Sequence, residues 1–148
     1  MCIRDRLKIL NETTGRQKVE INPIITGEEL IKLREWVREV HLNDELLKYV
    51  ARLIRNTRPD TSQLSFIKDW ISWGAGPRAG QAIILAAKAR AIVRQRLAVI
   101  PEDIQAVVPP ALRHRLLLNF KAEAEGIQPD EIIRQLLEKI TPPQSSLI

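Results

Sequence analysis

The sequence predicts an all-α bundle with room for a very small β element, and three features predict it. Apolar residues recur at helical spacing in Leu30, Leu33, Val37 and Val40, in Leu46, Val50, Leu53 and Ile54, and in Ile132, Ile133, Leu136, Leu137 and Ile140. Residues that start helices precede such stripes: Thr26 and Asn43 as caps, and Pro77, Pro101 and Pro129 as first-turn prolines. Glycines and prolines mark the stops, at Gly15, Pro59, Pro109-Pro110, Gly126 and Pro142-Pro143.

Residues 1–6, Met1-Cys2-Ile3-Arg4-Asp5-Arg6, fit nothing that follows and read as a non-native or artefactual start. Residues 7–15 read as the end of a helix closed by Gly15 at the C′ position. Residues 16–25 form a linker, in which Val19-Glu20-Ile21 alternates and reads as extended. The bundle itself is expected over residues 26–142. It opens with a capping box from Thr26 to Glu29 and a hydrophobic staple of Ile25 on Leu30. The Leu30 stripe, with Trp36 beside it, is expected in the core. Asn43 caps the next helix, with Asp44 and Glu45 complementing its dipole. His41, between the two helices, has no second ligand at metal spacing and is expected to be structural.

The polar run Arg58-Pro59-Asp60-Thr61-Ser62-Gln63 reads as a loop that varies or moves, and Phe66, Ile67, Trp70 and Ile71 as a short helical patch. Trp70 and Trp73 are either an exposed partner site or a packing plug, and the plug is the expectation. The stretch around which the chain is organised comes next, Trp73-Gly74-Ala75-Gly76-Pro77-Arg78-Ala79-Gly80. Its glycines give a tight turn, and Pro77 begins a helix that is apolar nearly all round except for Gln81, Lys88 and Gln95. Such a helix belongs in the middle of a bundle, with Gly80 permitting close approach.

Leu97-Ala98-Val99-Ile100 is β-prone, and Pro101 starts a helix expected to reach about residue 108. Ile100 cannot cap it, which weakens that start by about 1 kcal/mol. Pro109-Pro110 is expected to break the chain before an apolar, buried segment over residues 112–120. The small β element is placed near Val40-His41-Leu42, Val99 and Leu116-Leu117. Arg113 and Arg115, either side of His114, have two readings: a basic cluster facing a neighbouring subunit or a nucleotide, or a solvated turn. Glu123 and Glu125 are two apart and so do not face each other on a helix, which favours a solvated acidic turn over a metal or acid–base pair. Gln128 stands at the cap of the last helix, and residues 143–148 read as a frayed tail.

Arg78 breaks a local rule. A helix N-terminus presents unpaired N–H groups and the positive end of the dipole, so it attracts anions and repels cations. An arginine there makes sense if an anion arrives from elsewhere, because a guanidinium grips phosphate oxygens with two parallel bonds. The other reading is a solvated arginine beside an ordinary Gly-Pro turn.

Four blocks together carry a resemblance: Gly74-Ala75-Gly76-Pro77-Arg78-Ala79; Pro101-Glu102-Asp103-Ile104; Pro110-Ala111-Leu112-Arg113-His114-Arg115-Leu116; and Glu123-Ala124-Glu125-Gly126 followed by Pro129-Asp130. In this order and spacing they resemble the C-terminal lid of MoxR-family AAA+ ATPases. The likeness extends from about residue 7 to about residue 142. It departs at Ile100 and Gln128, where the family has Thr or Ser and Thr. The resemblance implies that residues 7–15 end the last helix of an α/β domain. It implies that Gly76, Pro77, Arg78 and Ala79 meet a nucleotide, with Arg78 the sensor-2 arginine on the γ-phosphate. It also implies ATP and Mg²⁺ in a complete enzyme, a homo-oligomeric, hexameric ring, remodelling or maturation of client proteins, and partners carrying von Willebrand factor A domains.

Composition narrows the alternatives. The 148 residues are 45% hydrophobic and 28% charged, as in an ordinary globular domain. The net charge of +5 suits a phosphate or nucleic-acid partner, but Lys and Arg are interleaved with Asp and Glu. Aromatics at 4% are too few for a base-stacking surface, so nucleic acid is not the expected partner. A lone Cys2 forms no internal disulfide, and no apolar run reaches membrane-span length, so a cytoplasmic protein is expected. The sequence has no G-x-x-x-x-G-K-[ST], no Cys/His set with metal spacing and no Ser/His/Asp arrangement. These residues alone are therefore expected to bind no cofactor or metal and to hydrolyse no ATP. The rivals are a basic helical DNA-binding module, with residues 101–118 imitating a helix-turn-helix, and a standalone interaction bundle.

Overall fold

In a computed structural model, residues 3–15 and 22–143 are described, and the chain divides into two compact units, Met1–Ile31 and Lys32–Ile148. In the first unit α1 (Ile3–Thr14) is continuous through residues 3–6 and buries no side chain. The Thr13 and Thr14 hydroxyls donate back to the carbonyls of Ile9 and Leu10. Gly15 is not left-handed, so it ends the helix without the C′ geometry expected of it. The extended reading of Val19 to Ile21 and the tail after Pro143 lie outside the described residues.

The Thr26 box forms as expected: its Oγ1 accepts from the Glu29 N–H at 3.2 Å, and Glu29 Oε2 accepts from the Thr26 N–H at 2.8 Å. Hydrogen bonding to that carboxylate holds the Glu29 carboxyl below its ordinary range. It opens α2 (Gly27–Glu39), whose stripe corrects the sequence reading. Leu30 and Trp36 are exposed, Leu33 and Val37 half-buried, and only Val40, just past the helix, is buried. Helical spacing marks the face that can be buried; it does not supply the surface that buries it.

The second unit is built on α3 (Asp44–Asn56), α5 (Pro77–Val93), α6 (Pro101–Leu112) and α8 (Pro129–Lys139). Asn43 caps α3 through its Oδ1, which accepts from the Leu46 N–H at 2.8 Å. The stripe Leu46, Val50, Leu53 and Ile54 is buried as expected, joined by Tyr49. α5 packs on α6 and α3, and α8 closes the bundle on α6 and α3 with Ile132, Ile133 and Leu136 fully buried. α5 is less enclosed than its composition implied: it buries Ala79, Ile83, Ala87 and Ala91, while Leu85 and Val93 stay exposed.

Gly80 does not serve a close approach. A Cβ there would lie 3.7 Å from Ile54 Cγ1 and 3.8 Å from Val50 Cγ1, which is ordinary van der Waals contact. Gly80→Ala is therefore expected to stabilise the chain by about 0.5–1 kcal/mol, because alanine loses less entropy in a helix than glycine. Urea unfolding would register this as a raised midpoint; a lowered one would mean that α3 cannot accept the methyl.

Pro109 and Pro110 do not break the chain. α6 runs through both prolines to Leu112, with Val108, Ala111 and Leu112 in the core. Interior prolines cost about 3 kcal/mol in an isolated helix. Burial of this last turn against the bundle offsets that cost, so tertiary packing overrides the local rule. Ile100 makes no side-chain cap, as expected, but its N–H donates to Asp103 Oδ2 at 3.1 Å, which supplies half of the missing cap from the helix side.

A short β element is present. β1 (Ile71–Trp73) pairs antiparallel with β2 (Leu117–Leu118), Ile71 opposite Leu118 and Trp73 opposite Leu117. A parallel bridge joins His41 to Ala98, with the His41 N–H donating to Leu97 O at 3.0 Å and the Val99 N–H to His41 O at 3.0 Å. Ile71 thus leaves the helical patch, α4 (Ser65–Trp70), for a strand. The expected buried run over 112–120 is only partly so, since Leu117 is 62% and Phe120 85% exposed. Asn119 caps the short α7 (Phe120–Ala124), and Gly126 follows it at φ 72°, the left-handed C′ glycine that the sequence predicted.

Candidate functional site

The residues between β1 and α5 form a turn whose shape is set by the end of α3. Gly74 lies directly on the Thr57 peptide: a Cβ on it would sit 2.3 Å from Thr57 O and 2.6 Å from Thr57 C. Glycine is required there by close approach. Thr57 is fully buried, donates its hydroxyl to Ile54 O at 2.7 Å and accepts from the Ala75 N–H at 2.9 Å. Arg58 Nε donates to Ala75 O at 3.0 Å. In the run after Asn56, read as a loop that varies or moves, the Thr61 hydroxyl donates to Arg55 O and the Ser62 N–H to Arg58 O.

Gly76 then serves as N-cap of α5 at φ −97°, ψ −179°, extended backbone open to any residue, and Pro77 follows at N1. Arg78 is exposed in the first turn and, among the described residues, has no ion pair or hydrogen-bond partner. Ala79 is fully buried and its N–H donates to Gly76 O at 2.9 Å. Of the four residues expected at a nucleotide, Pro77 and Arg78 therefore lie at the surface, Gly76 is half-buried, and Ala79 belongs to the core.

Beside Pro77 an open groove of ≈ 660 Å³ runs between α3 and α5. Leu47, Val50, Ile54, Ile84, Arg55 and Arg58 are among its lining residues, which include no acidic side chain. Apolar lining beside two guanidinium groups suits an apolar group that carries negative charge.

The other candidates disperse. Arg113 pairs with Asp130 at 3.2 Å, both groups exposed, and Arg115 Nη1 donates to Ala111 O at the end of α6. Glu125 Oε2 accepts from Trp70 Nε1 at 3.0 Å. The tryptophans divide between their two readings: Trp70 is half-buried with its ring 6.1 Å from that of Phe66, whereas Trp73 is 73% exposed. Among the described residues no three His, Cys, Asp or Glu side chains are grouped to hold a metal ion, and no helix is long and apolar enough to cross a membrane.

Thr57 and Arg58 are the site residues that the sequence reading missed. A signal was present, because Thr57 continues the buried stripe of α3 after Val50, Leu53 and Ile54, and a hydroxyl on a buried face needs a partner.

A profile of the AAA lid domain matches residues 65–136. The chaperone MoxR1 of Mycobacterium tuberculosis is 36% identical over 126 residues, which cover 84% of this chain and 33% of that protein. The uncharacterized protein YeaC of Bacillus subtilis is 32% identical over 140 residues, 94% of this chain and 41% of its own length. The crystal structure of a candidate ATPase from Cytophaga hutchinsonii superposes with a TM-score of 0.82 at 29% identity, over 97% of this chain and 44% of that one. This chain thus spans between 33% and 41% of the length of these curated relatives. The helical bundle, the turn that heads α5 and these likenesses agree, and the chain belongs to the MoxR family of AAA+ ATPases as their lid region.

Proposed function

We propose that this region is the nucleotide-sensing lid of a ring-forming MoxR-like ATPase, and that Arg78 is its sensor-2 arginine. One observation carries the reading: an exposed arginine with no partner among the described residues stands in the first turn of α5, at the end of a turn held by α3. Its guanidinium is free to bind the γ-phosphate of an ATP held by an α/β domain, with two parallel charge-assisted bonds. ATP supplies the hydrolysable phosphoanhydride, and Mg²⁺ would be held by its phosphates and by the α/β domain of the whole protein. Because α5 is packed on α3 and α6, a pull on Arg78 moves the bundle as a body. In the whole protein that motion would drive remodelling or maturation of a client in a cytoplasmic, hexameric ring, with von Willebrand factor A proteins as candidate partners. Arg113 and Arg115 remain candidates for a contact with a neighbouring subunit, Arg113 with its guanidinium exposed beside Asp130.

The DNA-binding alternative loses its motif. The helices that were to imitate a helix-turn-helix are a single α6 followed by β2.

In the full-length protein, Arg78→Ala is expected to lower ATP turnover about a hundredfold, the effect of removing one preorganised charge stabiliser. Arg78→Lys is expected to restore little of it, since a point charge lacks the planar fork. Steady-state hydrolysis by purified variants checks both, and wild-type turnover in Arg78→Ala would sink the assignment.

A further inference from the structure

We propose that Thr57 and Arg58 are positioning residues for Arg78, holding the turn before α5 so that its guanidinium has one approach to a phosphate; the proposal rests on the sensor reading above. Both backbone polar groups of Ala75 are engaged by this pair. The Ala75 N–H donates to Thr57 Oγ1 at 2.9 Å, and Ala75 O accepts from Arg58 Nε at 3.0 Å, across separations of 18 and 17 residues. Ala75 is 1% exposed, so water does not replace either bond. Thr57 is itself anchored on Ile54 O, one turn back in α3. The direction of α5's first turn is therefore set by α3, and a one-ångström error there is enough to cost rate. Arg58 acts here through backbone; the phosphate contact belongs to Arg78.

Thr57→Val keeps the side-chain volume and removes the hydroxyl, whereas Thr57→Ser keeps the hydroxyl. In the full-length protein Thr57→Val is expected to lower kcat about tenfold with little change in KM for ATP, and Thr57→Ser to stay within about twofold of wild type. On an Arg78→Ala background Thr57→Val is expected to cost nothing more, because the group it positions is gone. Arg58→Ala, which alters an exposed side chain and opens no core, should lower kcat in the same way, with the thermal midpoint lowered only modestly by the Ala75 carbonyl left without its donor, and keeps the test alive if Thr57→Val does not fold. Wild-type kcat in Arg58→Ala or in Thr57→Val, or a full additional loss on the Arg78→Ala background, would overturn the proposal. Failure of the sensor reading looks different: Arg78→Ala alone would then turn over ATP at the wild-type rate.

Discussion

Gly74→Ala is expected to destabilise the chain by about 3 kcal/mol or more, at the upper end of what overpacking produces. The reason is what the added methyl would strike. Its three nearest atoms, at 2.3, 2.6 and 2.8 Å, are Thr57 O, Thr57 C and Arg58 Cα, all backbone. A side chain can rotate away, but this peptide is pinned by the Thr57 and Arg58 bonds to Ala75, so either the end of α3 or the turn must move. Gly76→Ala is the control. It sits at φ −97°, which any residue adopts, and its Cβ would come no nearer than 3.8 Å to Arg58 Nη2. Loss of a cap glycine to alanine costs about 1 kcal/mol at most. Chemical denaturation of both variants gives the comparison; equal losses would show that the Thr57 contact is not what makes Gly74 obligatory.

The same pair of glycines marks what is legible in sequence. Gly74 and Gly76 both read as turn residues, and only their three-dimensional neighbours separate them. Local chemistry was readable wherever the interaction spans three or four residues: Thr26 with Glu29, Asn43 with Leu46, and the prolines that begin α5, α6 and α8. Gly126 in its left-handed cap belongs to the same class. Local chemistry misled where packing outweighs it, as at Pro109-Pro110 inside α6, and where the described residues leave a stripe exposed, as at Leu30 and Trp36. At the site, Arg78 was visible because it violates a helix-terminus preference. Thr57 showed only that a hydroxyl on a buried face needs a partner, and Arg58 showed nothing, since the contacts that give them meaning reach 18 and 17 residues along the chain.

Arg96→Ala is expected to cost about 3 kcal/mol at neutral pH, as when one partner of a buried ion pair is removed. Asp103, at N3 of α6, is 1% exposed. Its oxygens take two bonds from Arg96, at 2.6 and 2.7 Å, with Arg90 Nε 3.3 Å away. Burial pushes the Asp103 carboxyl up, but the Arg96 and Ile100 hydrogen bonds and the charges of Arg96 and Arg90 outweigh it and hold the carboxyl below the ordinary range. A depressed carboxyl contributes stability that is present above its unfolded pKa, about 3.9, and is lost as pH falls through the lower folded value. Without Arg96 the main opposing interaction is gone and burial drives the carboxyl upward, so ionisation at neutral pH becomes a cost. The unfolded value is common to both proteins, so the gap between wild type and Arg96→Ala should be full at pH 7, begin to shrink as pH falls through the raised carboxyl of the variant, and close once the lowered carboxyl of wild type is protonated too. Arg96 is only about two-thirds buried, so its own removal opens little core, and the loss should follow the charge. Urea unfolding of both proteins at neutral and acid pH decides it: a gap of the same size at both would place the cost in lost packing by the arginine stem, and the ion pair would then contribute little to holding α6 against α5.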